Sequence, residues 1–136
     1  MAVLLSACFG SLTRKDLLGD WEANNRDSLY FTADTLELFQ DINYSYGLGT
    51  CDMIRWKVME KEFRLQHHYL CSEPGRVRYN TIPEKLLIKR GIGKTFLKIK
   101  WQGKTIDRFE VISYAEKEIE RYPHDIKILK VKRIKD

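Results

Sequence analysis

Asp16-Leu17-Leu18-Gly19-Asp20-Trp21-Glu22 sets a short helical turn, a glycine and an indole in immediate succession. Gly19 has no Cβ, so the backbone is free to turn tightly between two elements there. Trp21 carries enough apolar area to plug one end of a β-structure, and its indole N–H needs an acceptor once buried. The helical piece reads as Thr13–Leu18 with Thr13 as its N-cap, and a first strand opens at Gly19. Downstream, nearly every segment either alternates apolar with polar residues or carries turn residues.

The clearest alternation runs from Cys51 to Cys71. Ile54, Trp56 and Val58 share one face of a first strand, and Phe63, Leu65, His67 and Tyr69 share one face of a second. A turn at Glu60-Lys61 pairs Val58 with Phe63, Trp56 with Leu65 and Ile54 with His67, so that both apolar faces coincide. Upstream, Gly19–Asn24, Ser28–Ala33 and Thr35–Ile42 read as strands. A turn at Ala33-Asp34 then sets Phe31 opposite Leu36 and Leu29 opposite Leu38. Downstream come Arg76–Ile82, Lys85–Lys89 and a hairpin of Lys94–Trp101 with Lys104–Ser113 around Gln102-Gly103. That hairpin sets Lys98 against Asp107 and Ile99 against Ile106. Ile126–Ile134 is the closing strand. The pattern predicts an all-β fold: an antiparallel up-and-down β-barrel of about 8–10 strands with a short N-terminal helical turn. Closure removes the exposed edges that invite aggregation.

The 136 residues make one domain, long enough to bury a core without cross-links. Lysine and arginine exceed aspartate and glutamate by 24 to 19, a net charge of +5, and the excess is spread along every segment. A nucleic-acid binder gathers its basic residues on one face or stripe, so the reading is no nucleic-acid partner. No apolar run approaches the roughly 20 residues of a membrane-spanning helix.

The N-terminus, Met1-Ala2-Val3-Leu4-Leu5-Ser6-Ala7-Cys8, is apolar, then small, then cysteine. Leu5-Ser6-Ala7-Cys8 resembles the lipobox of bacterial lipoproteins at each position. That resemblance implies cleavage before Cys8 and a lipid anchor on its thiol and new amino group. No positive region precedes the apolar run, and the run is shorter than the usual ~7–15 residues, which points to a start inside a longer precursor. The alternative is an ordinary N-terminal strand with a free thiol. Residues 1–7 are thus read as a signal-peptide remnant, 8–15 as a tether and 16–136 as the barrel domain. With Cys8 acylated, Cys51 and Cys71 remain as an even pair for an oxidising compartment. Their register leaves them near neighbours on nominally opposite faces, so the expected Cys51–Cys71 disulfide forms through a bulge or frayed end.

The helical turn followed by Gly19-x-Trp21 at the start of a β meander resembles the lipocalin superfamily, and more nearly the lipocalin-like lipoproteins of bacterial envelopes. The resemblance implies that Trp21 closes the barrel base and that an arginine from a late strand lies across it. Arg133 is the first candidate for that arginine and Arg108 the second. It also implies a place in the cell envelope, anchored by lipid in the outer membrane. Ile54, Trp56, Phe63, Leu65, His67 and Tyr69 would line a binding cavity. Tyr44 and Tyr46 would form a lid or rim, or else pack as ordinary surface-loop tyrosines. The ligand would be small and apolar or amphiphilic. The competing expectation is a solid-cored barrel that docks on an envelope protein complex, or acts as an immunity or inhibitor protein.

Gly91-Ile92-Gly93-Lys94-Thr95 has the end of a phosphate loop, but Ile88 stands where its first glycine belongs. His67 and His68 are adjacent on a strand, so they point to opposite faces and cannot share a metal. No nucleophile elbow or convergent acid–base set is visible. The reading is therefore a non-enzymatic protein without cofactor or metal.

Overall fold

The computed structural model describes residues 2–4, 12–26, 30–40, 52–69, 76–118 and 125–135. Its elements are β1 (Ala2–Leu4), a 3-10 turn (Arg14–Leu17), β2 (Gly19–Arg26), β3 (Thr35–Gln40), β4 (Asp52–Val58) and β5 (Phe63–Tyr69). There follow β6 (Arg76–Arg78), β7 (Lys85–Gly91), β8 (Lys94–Trp101), β9 (Lys104–Lys117) and β10 (Ile126–Arg133). The strands belong to one antiparallel sheet, β2 to β10 in the order β6-β5-β4-β2-β3-β10-β9-β8-β7. β1 pairs with Ala115–Lys117 of β9, beyond the reach of β8.

The all-β class is as the alternation predicts, and the β4–β5 hairpin has the expected register, with Val58 on Phe63, Trp56 on Leu65 and Ile54 on His67. The closed up-and-down barrel is not what forms. Among the described residues, no ladder joins β5 or β6 to β7, and β2 lies between β3 and β4, so the chain skips a strand. The cause lies at 30–33, the described part of the expected strand Ser28–Ala33, which is not extended: Phe31 and Thr32 form a turn. β3 therefore returns along β2 itself, with Trp21 opposite Gln40 and Ala23 opposite Leu38, and β4 takes the other side of β2. Leu36 and Leu38 are buried, whereas Phe31 is 51% exposed instead of facing Leu36. Leu29, like Cys8, Tyr44, Tyr46, Cys51 and Cys71, lies outside the described residues.

The β8–β9 hairpin also departs from its simple register. Trp101 opposes Lys104 and Lys100 opposes Thr105, but Ile99 then opposes Asp107 and Lys98 opposes Arg108. One extra residue on β9 forms a bulge, which exposes Ile106 and turns Asp107 to the inner face. Gln102 and Gly103, at φ 50° and 81°, make the turn with both central residues in the left-handed region, as a tight hairpin favours.

The sheet curls until strands that are not neighbours pack together. Trp56 of β4 lies 5.6 Å from Phe109 of β9 and 5.9 Å from Phe63, ring centre to ring centre. Trp21, Leu36, Leu97, Ile99, Leu129 and Val131 fill the same core without exposure. Gly19 adopts φ 121°, a conformation open to glycine, and so lets β2 leave the 3-10 turn directly. The Trp21 indole N–H donates to the Leu17 carbonyl at 2.8 Å, and the Tyr114 hydroxyl donates to the Asp16 carbonyl at 2.7 Å. The turn thus seals one end of the core. Its own start is held by Asp16, whose carboxylate accepts from the Thr13 N–H at 2.8 Å.

Arg14 then bridges the two ends of the sheet. Its guanidinium donates to the carbonyls of Met59 (2.7 Å) and Glu62 (2.6 Å) at the β4–β5 turn and of Leu86 (3.1 Å) on β7. Arg14→Ala leaves three carbonyls without that donor and is expected to cost about 2–4 kcal/mol of unfolding free energy. Arg14→Lys should recover little of it, because a point charge cannot span three acceptors. Urea denaturation of the three proteins checks both statements.

Candidate functional site

Where β5 and β7 fail to pair, the segment 79–84 runs beside β5 and is fastened by side chains. The Glu84 carboxylate, 2% exposed, accepts from the Leu65 N–H at 3.2 Å and from the Asn80 amide at 2.8 Å. Arg64 donates to the Asn80 carbonyl at 2.7 Å and lies over the Tyr79 ring at 5.3 Å. The Trp101 indole N–H donates to the Ile82 carbonyl at 2.9 Å. Next to this seam lies an open cleft of about 660 Å³. Ile54 and Leu65 form its apolar floor, Phe31, Val77 and Tyr79 its exposed rim, and His67, Arg78, Asn80 and Glu84 its polar groups.

Three of the sequence-predicted wall residues, Ile54, Leu65 and His67, line this cleft. Trp56 and Phe63 do not: they are buried in the core, packed edge to face against each other. Tyr69 sits at the end of β5, paired in register with Asp52 and Arg76. The rim residues Phe31, Val77 and Tyr79, and the buried Glu84, were not foreseen. Reading 76–82 as a full strand hides Val77 and Tyr79, and reading 28–33 as one hides Phe31, although Asn80-Thr81-Ile82-Pro83 interrupts the alternation and carries the signal of a break.

Arg133 is not across Trp21. Trp21 pairs with Gln40 at one end of β3, while Lys132 pairs with Thr35 at the other, about 17 Å away along the strand. The guanidinium instead covers Phe109 at 4.9 Å and Tyr30 at 5.6 Å, donates to the carbonyls of Tyr30 (2.6 Å) and Ala33 (3.2 Å), and pairs with Asp107. Tyr30 in turn accepts the Trp56 indole N–H at 2.9 Å. Arg133 therefore caps the end of the core opposite the Trp21 plug. Arg108 lies on the outer face, opposite Lys98.

Behind the cleft, on the outer face of β2, β4 and β5, a second group of charges is buried. Glu22 pairs with Arg55, which also reaches Asp20 at 3.7 Å. His68 meets Gln66, a residue of the cleft wall, at 3.1 Å. Burial raises the Glu22 carboxyl above its ordinary range against the pull of Arg55. Burial, with the Arg55 cation second, lowers the His68 imidazole from 6.5 to about 4. Among the described residues, no three His, Cys, Asp or Glu side chains gather as a metal site requires, and no helix is long and apolar enough to cross a membrane.

Comparison with family models, with curated proteins and with solved structures finds no match to this chain.

The His68 shift has a sign that can be checked. Between pH 6.5 and about 4 the unfolded chain binds a proton that the folded chain refuses, so folding stability falls as pH falls through that window. Glu22, raised in the fold, contributes the opposite slope. His68→Gln should therefore remove the histidine part of the acid loss, measured as denaturation free energy against pH.

Proposed function

We propose that this chain is a lipid-tethered, lipocalin-like binding protein of the bacterial cell envelope, which holds a small amphiphilic molecule in the cleft beside its seam. The observation that carries the reading is the cleft of about 660 Å³, with an apolar floor, aromatic rim and a few convergent polar groups. Its size and lining suit a small organic ligand. Because Trp56 and Phe63 are buried while Ile54, Leu65 and His67 line the cleft, the ligand sits in the seam. Its apolar part would lie on Ile54 and Leu65, and its polar end would meet His67, Arg78 and Asn80. The tether rests on Leu5-Ser6-Ala7-Cys8, and the lipocalin likeness on Gly19-x-Trp21 after a helical turn. Maturation before Cys8 would also remove β1 from β9, leaving Ala115–Lys117 with an open edge. The exposure of Phe31, Val77, Tyr79 and Ile82 favours a second reading, in which a protein partner covers this rim.

Native mass spectrometry of protein purified from its membrane fraction tests the ligand. A bound small molecule is expected, and Tyr79→Ala with Val77→Asp, both at exposed positions, should weaken it by at least about tenfold, or about 1.4 kcal/mol. A ligand-free protein that instead retains a stoichiometric protein partner would move the assignment to the second reading. Fatty-acid labelling of wild type and Cys8→Ser tests the tether separately, the label being expected on the wild type alone.

A further inference from the structure

A strand at the end of a sheet has a neighbour on one side only, and its backbone groups on the other side are left to be matched. Among the described residues, nothing pairs with β7 on the side away from β8. β6, at the other end of the sheet, has 3 residues, whereas β7 has 7, Lys85–Gly91. Gly91 opposes Lys94 across the tight turn Ile92-Gly93, and so short a turn closes on a pair that exchanges both hydrogen bonds. Alternation then gives the groups of Gly91, Lys89, Leu87 and Lys85 to β8 and turns those of Arg90, Ile88 and Leu86 to the free side. The Arg14 guanidinium meets the Leu86 carbonyl from that side at 3.1 Å, as this parity requires. Among the described residues, no hydrogen bond reaches the Ile88 or Arg90 backbone there.

Beside this edge runs a trough of about 320 Å³, with Leu12, Thr13 and Arg14 on one bank and Leu86, Ile88 and Arg90 on the other. A strand laid along β7 would exchange hydrogen bonds with Ile88 and Arg90, and Arg14 would stop it at Leu86. Its residue opposite Ile88 would point into the trough, because opposed residues share a face. The residues before and after would lie on the other face, beside Leu87 and Lys89. β7 presents Lys85, Lys89 and Arg90, all exposed, and no acidic residue. Lysine on an edge keeps like strands away. Two β7 strands paired together would gather these cations twice over on one ribbon, whereas a strand bearing carboxylates is complementary to them.

We propose that the free side of β7 takes up an extended acidic segment of a partner protein as an added strand, an apolar residue seated on Ile88 with carboxylates flanking it. This site shares no lining residue with the cleft at the seam, and it needs neither that cleft's ligand nor the tether. Backbone hydrogen bonds supply the hold, and the alternation of apolar and acidic side chains supplies the choice.

Amide hydrogen exchange of the full chain, followed by NMR, tests the edge itself. In the free protein the Ile88 and Arg90 amides should exchange much faster than those of Leu87 and Lys89, which are bonded to β8. The probe for the partner is a short synthetic peptide alternating glutamate with valine, read by fluorescence anisotropy. It should bind and slow the Ile88 and Arg90 amides selectively. The same peptide with lysine for glutamate, or N-methylated on its valines, should bind at least about tenfold more weakly. Arg90→Pro removes an outward N–H without touching the β7–β8 ladder and should also cost at least about tenfold. Arg90→Glu keeps that N–H and should shift preference toward the lysine peptide. Slow exchange of both amides in the free monomer, a dimer that protects them, no binding of the glutamate peptide, or wild-type affinity in both variants would overturn the proposal.

Discussion

A curled sheet with two free ends leaves backbone donors and acceptors that need partners, and in this protein long side chains supply them. Arg14 satisfies three carbonyls drawn from both ends, and Glu84 takes the N–H of Leu65 that a strand partner would otherwise take. The reason no ladder forms is local. β6 stops at Arg78 after three residues, and Pro83, which has no N–H to donate, precedes β7. A closed ladder would have buried this edge without charged groups, but it would also have removed the cleft.

The rest of the core is arranged between two unlike stoppers. At one end Trp21 is held by the turn that precedes it. At the other, Trp56, Tyr30, Arg133 and Asp107 form a continuous polar chain reaching inward from the surface. The β9 bulge is what makes that chain possible, since a regular hairpin would have pointed Asp107 outward. Burial raises the Asp107 carboxyl while Arg133 pulls it down, and burial raises the Tyr30 hydroxyl well above its usual range. A buried pair of this kind fixes where Tyr30 and Phe109 sit more than it adds net stability.

The elements with strict period-two burial were legible in the sequence. The β4–β5 hairpin could be registered residue by residue, because a slip of one position would expose Trp56 and bury Lys57. Gly19 and Trp21 were legible for the same reason: few residues serve at a tight turn and a large plug. Three features were not. The 28–33 segment carries apolar Leu29, Tyr30 and Phe31 in a row, and nothing in the sequence says that the Tyr30 hydroxyl is required by a tryptophan 26 positions away. The bulge at Ile106 has no local signature. The open side of β7 was hidden because an alternating strand reads alike at the rim of a sheet and in its middle.

Fastening the two ends with arginine and glutamate has a mechanical meaning. A backbone ladder yields only when several hydrogen bonds break together, whereas Arg14, Arg64 and Glu84 can each let go by changing rotamer. The join is accordingly held by fewer bonds than the ladders on either side of it, a zip with few teeth beside a buried aromatic interior. Opening it would leave the ladders between neighbouring strands hydrogen-bonded.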